Sequence, residues 1–349
     1  MSSNATVLIT GVSGNLGLRL LPMLSGFHVV GVDMHPPDSA VPIDFHFMDL
    51  GREASCRELT QLLRKTAARS VLHLAFVVDP LQAGVTDVDR MWQINVAGTA
   101  RVMEAVSVVN RTGGQVRQFI FPSSVSAYGP ETPGQVKEDY PLSAHTLPYA
   151  IHKRESDEVV RYRADSVGDC RIYILRPHIF AGASVQNYLV GVLRGTAFGN
   201  SPRAVQMRER HERLPLLLPR DKSYLEKRIQ FVHVDDMARL LLHLLHRPST
   251  DPPVTVLNVA GHGEPLTIQD CANIAEAKIR KVPHRIVCAY ILRSLWKRGI
   301  SSVPPEALPY MLGSYTMDTS RLEKFLGSDY SRVIQYSVED ALRDCFRRS

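Results

Sequence analysis

The feature that most constrains this chain is an alternation of short β-branched apolar runs with longer stretches of helical period. The runs are Thr6–Thr10, Phe27–Asp33, Phe45–Leu50, Ser70–Phe76, Gln118–Ser124 and Arg171–Arg176. Helices are expected between them at Gly14–Leu24, Arg52–Lys65, Asp87–Asn110 and Pro148–Ser166. Strands that run the same way need a crossover between them, and a helix is the usual one. The alternation therefore predicts an α/β chain with a doubly wound parallel sheet, covered by helices on both faces. After Pro177 the rhythm breaks, then resumes with Phe231–Val234, Asp235–His246 and Thr255–Ala260. Beyond Gly261 the pattern is helical and loop-like, with Pro304, Pro305 and Pro309 as breakers. Two domains are expected: 1–177 plus 229–262 around the sheet, and a smaller, discontinuous one from 178–228 plus 263–349.

Bulk properties narrow the class. With 349 residues, 44% of them hydrophobic, the chain can bury a large core. The formal charge of +6 comes from 41 basic residues set among 35 acidic ones, which argues against a nucleic-acid partner. Five cysteines (Cys56, Cys170, Cys271, Cys288 and Cys345) lack metal-ligand spacing, so no metal site is expected and a reducing cytoplasm is the expected home. The start runs straight into Val7-Leu8-Ile9 with no signal-like region, and no stretch is long and apolar enough for a membrane span, so no membrane partner is expected.

Thr10-Gly11-Val12-Ser13-Gly14-Asn15-Leu16-Gly17 follows the first strand and opens the first helix. Glycines at this spacing let backbone N–H groups and a helix N-terminus approach a pyrophosphate. Asp33 closes the second strand, where a carboxylate accepts hydrogen bonds from ribose hydroxyls and meets a 2′-phosphate as like charge, so NAD is expected over NADP. Tyr149 and Lys153 stand four apart on a helix opened by Pro148. A cation on the same face is expected to draw the phenol down from about 10 and make it a general base. Ser123-Ser124 ends a strand at the edge where ligands bind such sheets.

These motifs, in this order, resemble the extended short-chain dehydrogenase/reductase family, also called the NAD-dependent epimerase/dehydratase family. The resemblance covers most of the chain. It includes the glycine loop, Asp33, the pair Asp49-Leu50, His73-Leu74-Ala75-Phe76, Asn95-Val96-Ala97-Gly98-Thr99, Pro148-Tyr149 with Lys153, Leu175–Gly182 and Phe231–Asp236. It implies a Rossmann domain and NAD as cofactor. It assigns catalysis to Ser124, Tyr149 and Lys153: Ser124 orients the substrate hydroxyl, Tyr149 exchanges its proton, and Lys153 lowers the tyrosine pKa and holds the nicotinamide ribose. It assigns cofactor contact to Gly11, Gly14, Asn15, Leu16, Gly17, Asp33, Asp49, Leu50, Leu74, Ala75, Asn95, Tyr149, Lys153 and Pro177. It makes the smaller domain substrate-binding. It also implies a homodimer through a four-helix contact of Asp87–Asn110 and Pro148–Ser166. His233 and Asp235 are expected to be structural.

Departures from the family pattern shape the substrate. Val125 and Ser126 stand where dehydratases and decarboxylases carry acids, which disfavours both reactions. His178 follows Arg176-Pro177, and Ile229 takes the place of the diphosphate-clamping Arg, with Arg228 one residue away. Arg203–Arg228 reads as a solvated, mobile basic segment, with anion binding as its alternative, through Arg208, Arg210, Arg213, Arg220 and Lys222. Phe76, Tyr128, Leu214–Leu218, Ile291–Trp296 and Tyr310–Leu312 add apolar surface. The leading expectation is NAD-dependent oxidation of a secondary alcohol, a sugar nucleotide or similar small molecule, as dehydrogenase or epimerase. The alternatives are 3β-hydroxysteroid-dehydrogenase-like chemistry on an apolar alcohol and a non-catalytic NAD-sensing module.

Overall fold

The computed structural model describes residues 5–78, 84, 87–247 and 250–347. The outermost ends of the expected domains, and the stretch read for a signal at the start, lie outside these. Seven strands form one all-parallel sheet: β1 (Ala5–Thr10), β2 (Phe27–Asp33), β3 (Asp44–Phe47), β4 (Ser70–His73), β5 (Gln118–Pro122), β6 (Arg171–Pro177) and β7 (Val254–Val259). Their spatial order is 3-2-1-4-5-6-7, so the winding reverses between β1 and β4. Chains leaving those two neighbours part to opposite faces, which opens a crevice at their carboxyl ends.

The helices follow from the sequence period. In α2 (Ser55–Thr66) Leu59, Leu62 and Leu63 share one buried stripe. It packs beside α3 (Gly98–Arg111) on one face of the sheet, where Leu8 of β1 points. Val7 and Ile9 point to the other face, against α1 (Asn15–Leu20) and α5 (Val234–Leu245). Leu322, Leu326, Val333 and Ile334 join this second face, so the chain returns to the sheet near its end. The expected strands Ser70–Phe76 and Phe45–Leu50 stop early, at His73 and Phe47. Leu74–Phe76 and Asp49 instead continue as irregular backbone beyond the strand ends, and Leu50 begins a turn.

A second layer collects short pairings that are distant in sequence. Leu216–Pro219 runs parallel to Ile279–Val282, and Arg228–Ile229 antiparallel to Leu266–Thr267. Here the expectation for 203–228 is corrected. The segment is an ordered helix (Pro202–Glu209) followed by strands, because its arginines find carbonyl partners. Arg208 donates to Ala197 and Gly199, and Arg213 to Arg194 and Ala275.

Candidate active site

The glycine loop lies at the reversal point. Gly11 has φ +72°, and a Cβ there would sit 2.4 Å from the Ala75 nitrogen; one at Gly17 would sit 2.3 Å from the Val12 oxygen. Neither position admits a side chain, so β1, the loop and the turn after β4 pack backbone to backbone. Asp33 is aimed back at the loop: its Oδ2 accepts the Ser13 N–H at 3.0 Å and its Oδ1 the Met34 N–H at 2.7 Å. Each carboxylate oxygen retains a lone pair for ribose hydroxyls. Gly14 and Asn15 are exposed at the loop's outer side, and the Asn15 amide donates to the Ser184 carbonyl at 3.3 Å. Asp49 is committed to an ion pair with Arg90 and to the Gly51 N–H, while Leu50 is buried.

A relay of polar groups braces this edge from beneath. The Thr99 hydroxyl donates to the Asn95 carbonyl (2.6 Å), so it accepts from His73 Nε2 (2.9 Å), and His73 Nδ1 accepts from the Thr10 hydroxyl (2.7 Å). Burial first, and then the Lys153 charge, push the His73 pKa down to about 3, which keeps the ring neutral as the relay requires. Asn95 lies in a π-helical turn, Gln93–Ala97, and clamps both backbone groups of Val77, at 2.7 and 3.0 Å. Such turns recur at functional sites. Leu74 donates its N–H to the Thr10 carbonyl at 2.9 Å, and Pro177 closes β6.

Across the crevice, Tyr149 and Lys153 project from α4 (Pro148–Tyr162). Ser124 lies within hydrogen-bonding reach of the Tyr149 phenol. Its Oγ also accepts the Ser126 N–H (3.1 Å) and hydroxyl (2.9 Å), which fixes its rotamer. Lys153 Nζ donates to the Pro122 carbonyl at 2.7 Å and sits 3.6 Å from the centre of the Phe76 ring, which lies perpendicular to the Tyr149 ring with centroids 5.9 Å apart. Burial lowers the Lys153 pKa to about 7, against the pull of Asp157. The expectation that Lys153 draws Tyr149 down is not met in this arrangement. Burial raises the phenol, and only the Ser124 hydrogen bond opposes it, because the ammonium is turned to Pro122 and Phe76.

Arg176 is the residue that sequence reasoning passed over. It is fully buried and donates to both oxygens of Asp157 (2.9 and 3.0 Å), to the Tyr128 hydroxyl and to the Glu138 carbonyl (2.8 Å each). The Tyr128 hydroxyl donates its own hydrogen bond to Asn258 Oδ1 at 2.7 Å, so it is a strut of this network. Asp157 stands four residues after Lys153 on α4, and that spacing was the available signal. His233 and Asp235 are structural as expected: His233 caps α5 through the Asp235 N–H, contacts Asp344 and stacks on Tyr336. His178 bridges the Ile179 N–H and the Tyr315 carbonyl, and burial holds it down at about 4.

Above the site, Tyr310 donates to the carbonyls of Ser126 (3.4 Å) and His145 (3.3 Å). Tyr149 packs in one hydrophobic cluster with Leu147, Val192, Val303 and Met311. Val192, Val303 and Met311 also line a cavity of about 100 Å³, walled further by Phe198, Leu292 and Leu295.

A parallel sheet that reverses at a glycine loop defines a Rossmann-type, nucleotide-binding fold class. Residues 7–260 match the family described as NAD dependent epimerase/dehydratase, and the chain belongs to that family. The side-chain-free Gly11 and Gly17, the aimed Asp33 carboxylate, and the buried, unpartnered Ser123 hydroxyl fit its NAD cofactor. An uncharacterized epimerase/dehydratase of Staphylococcus aureus is 22% identical over 169 residues, which is 45% of this chain and 47% of that protein. The chain thus spans about half the length of such curated relatives. MoeE5, solved with UDP-glucuronic acid and NAD, superposes with a TM-score of 0.65 at 20% identity over 97% of this chain and 96% of that one. UDP-glucose 4-epimerase of Thermotoga maritima gives 0.65 at 16% identity over 97% of both chains. The enzyme WbmH of Bordetella bronchiseptica, solved with NAD+, gives 0.64 at 17% over 97% of both. These likenesses carry the fold. Among the described residues, no helix is long and apolar enough to cross a membrane, and no cluster could hold a metal ion.

Proposed function

We propose that the chain oxidises a secondary alcohol of a small molecule, with Ser124, Tyr149 and Lys153 as its catalytic residues. The observation that carries this reading is the phenol of Tyr149 set against the Ser124 hydroxyl at the sheet's carboxyl edge. Ser124 holds the substrate hydroxyl, and the Tyr149 oxygen takes its proton as phenolate, a form that burial disfavours and that Lys153 must turn from Pro122 to stabilise. A nicotinamide held in the groove beside the glycine loop and Asp33 would supply the hydride acceptor for the carbon that bears this hydroxyl. Lys153, titrating near neutrality, supplies a tunable charge beside the pair. Gly11, Gly14, Asn15, Leu16 and Gly17 bind the pyrophosphate, and Asp33 the ribose. Asp49, Leu50, Leu74, Ala75, Asn95 and Pro177 shape the rest of the cofactor groove, and 178–228 with 263–349 form the substrate side. Val125 is an apolar buried side chain and Ser126 is spent on Ser124, so neither supplies the extra acid of a dehydratase or decarboxylase.

The test is a panel of sugar nucleotides and apolar alcohols with NAD, read by NADH absorbance and product stereochemistry. Net NADH marks a dehydrogenase; inverted product without net NADH marks an epimerase. A Tyr149→Phe protein that turns substrate over as fast as the parent sinks the assignment and leaves an NAD sensor. The apolar cavity that shares Val192, Val303 and Met311 with the Tyr149 cluster favours a second reading, an alcohol with apolar bulk. A homodimer through α4 and the helical run 88–111 is part of the proposal, supported by Val88, Trp92 and Tyr162, which are all exposed on those helices.

A further inference from the structure

The helix Arg285–Lys297 has two faces of opposite use. Cys288, Leu292 and Leu295 turn inward and line the apolar cavity. Half a turn of the wheel away lie Ile286, Tyr290, Arg293 and Lys297, spaced by three and four residues and therefore co-facial. Ile286 is 69% exposed and Tyr290 76%, and Trp296 at the flank is 39% exposed. Large apolar side chains gathered this way on one short helix call for a covering surface.

Charge says what covers it. Residues 277–305 hold seven basic residues (Lys278, Arg280, Lys281, Arg285, Arg293, Lys297 and Arg298) and no Asp or Glu. All seven are exposed, and none makes an ion pair among the described residues. Without this segment the chain's formal charge of +6 becomes −1, so the whole positive excess sits here. We infer that this helix lies in the headgroup plane of an anionic lipid surface, with Ile286 and Tyr290 inserted and the basic residues on phosphates. A helix that presents exposed apolar side chains together with basic ones binds such interfaces without spanning them. The sequence expectation of no membrane partner rested on the absence of a span, which a peripheral contact does not need. The protein face is polycationic and apolar at once, and that combination favours lipid over nucleic acid or an acidic protein.

The test is co-sedimentation of the full chain with vesicles of phosphatidylcholine alone or with a quarter phosphatidylglycerol. Binding is expected only to the anionic vesicles and is expected to weaken with salt. Each basic residue at such a surface contributes about fivefold, so Arg293→Glu with Lys297→Glu is expected to weaken binding by at least about 25-fold. Ile286→Ser with Tyr290→Ser is expected to weaken it too, while NAD binding and the far-ultraviolet circular dichroism spectrum stay unchanged and show that the fold is intact. No binding to anionic vesicles, equal binding by the charge-reversed protein, or equally tight binding of duplex DNA or polyglutamate by the parent each overturns the inference.

Discussion

Two cations are buried within reach of the same helix, and they behave oppositely. Lys153 has a carbonyl and two aromatic faces for company, and burial brings its pKa to about 7. Arg176 is more deeply buried, yet the Asp157 carboxylate and the Tyr128 hydroxyl hold it above its ordinary value in spite of desolvation. A guanidinium is planar, presents a fork of donors and cannot lose its proton here, so it suits a fixed joint. An ammonium with soft partners suits a group that must change state. The lesson is that burial alone does not decide a charge; the partner does.

The largest expected effect comes from removing the tunable cation. Lys153→Met is expected to lower turnover about 10²- to 10⁴-fold in the NADH assay with stability largely kept. Asp157→Ala attacks the fixed one and leaves Arg176 unpaired. A loss of about 3–5 kcal/mol in urea unfolding is expected, and a loss under 1 kcal/mol would mean that water or another group replaces the carboxylate. Tyr128→Phe removes one strut and is expected to cost about 1–3 kcal/mol.

A subtler effect is in pH. The unfolded Lys153 titrates at 10.5 and the folded one at about 7, so between these values the folded protein holds fewer protons. Stability from this group therefore rises with pH across that window, and Lys153→Met is expected to flatten the rise in melting temperature. His73, at about 3, and His178, at about 4, work the same way lower down. Stability is expected to fall as pH drops from 6.5 toward 4, because the unfolded chain takes up protons that these rings refuse. Phe76→Leu is expected to have the smallest effect, a small acidic shift of the Lys153 titration in the activity profile as the ring's attraction for the ammonium is lost.

What was legible in the sequence was what is local. The glycine loop, Asp33 and the strands before it depend on neighbours within a few tens of residues, and they stand where the pattern puts them. Leu74–Phe76 continued an apolar run yet left the strand, because Gly11 approaches so closely that the backbone must turn aside. The ordering of 203–228 was illegible because Arg213 finds Ala275, and Leu216–Pro219 finds Ile279–Val282, some sixty residues on. The direction of the Tyr149 shift was missed for a related reason. Helical spacing sets Tyr149 and Lys153 on one face, but the Phe76 ring and the Pro122 carbonyl decide where the ammonium goes.

The return of the chain to the sheet has a consequence for synthesis. Leu322, Leu326, Val333 and Ile334 complete the face that Val7 and Ile9 begin, and Phe325 packs edge-on against Tyr173. A strand and helices about 310 residues apart in the chain thus share one core. A nascent chain with the whole nucleotide-binding half already outside the ribosome still exposes a bare apolar face, and it waits, prone to sticking, for residues 320–334 to arrive.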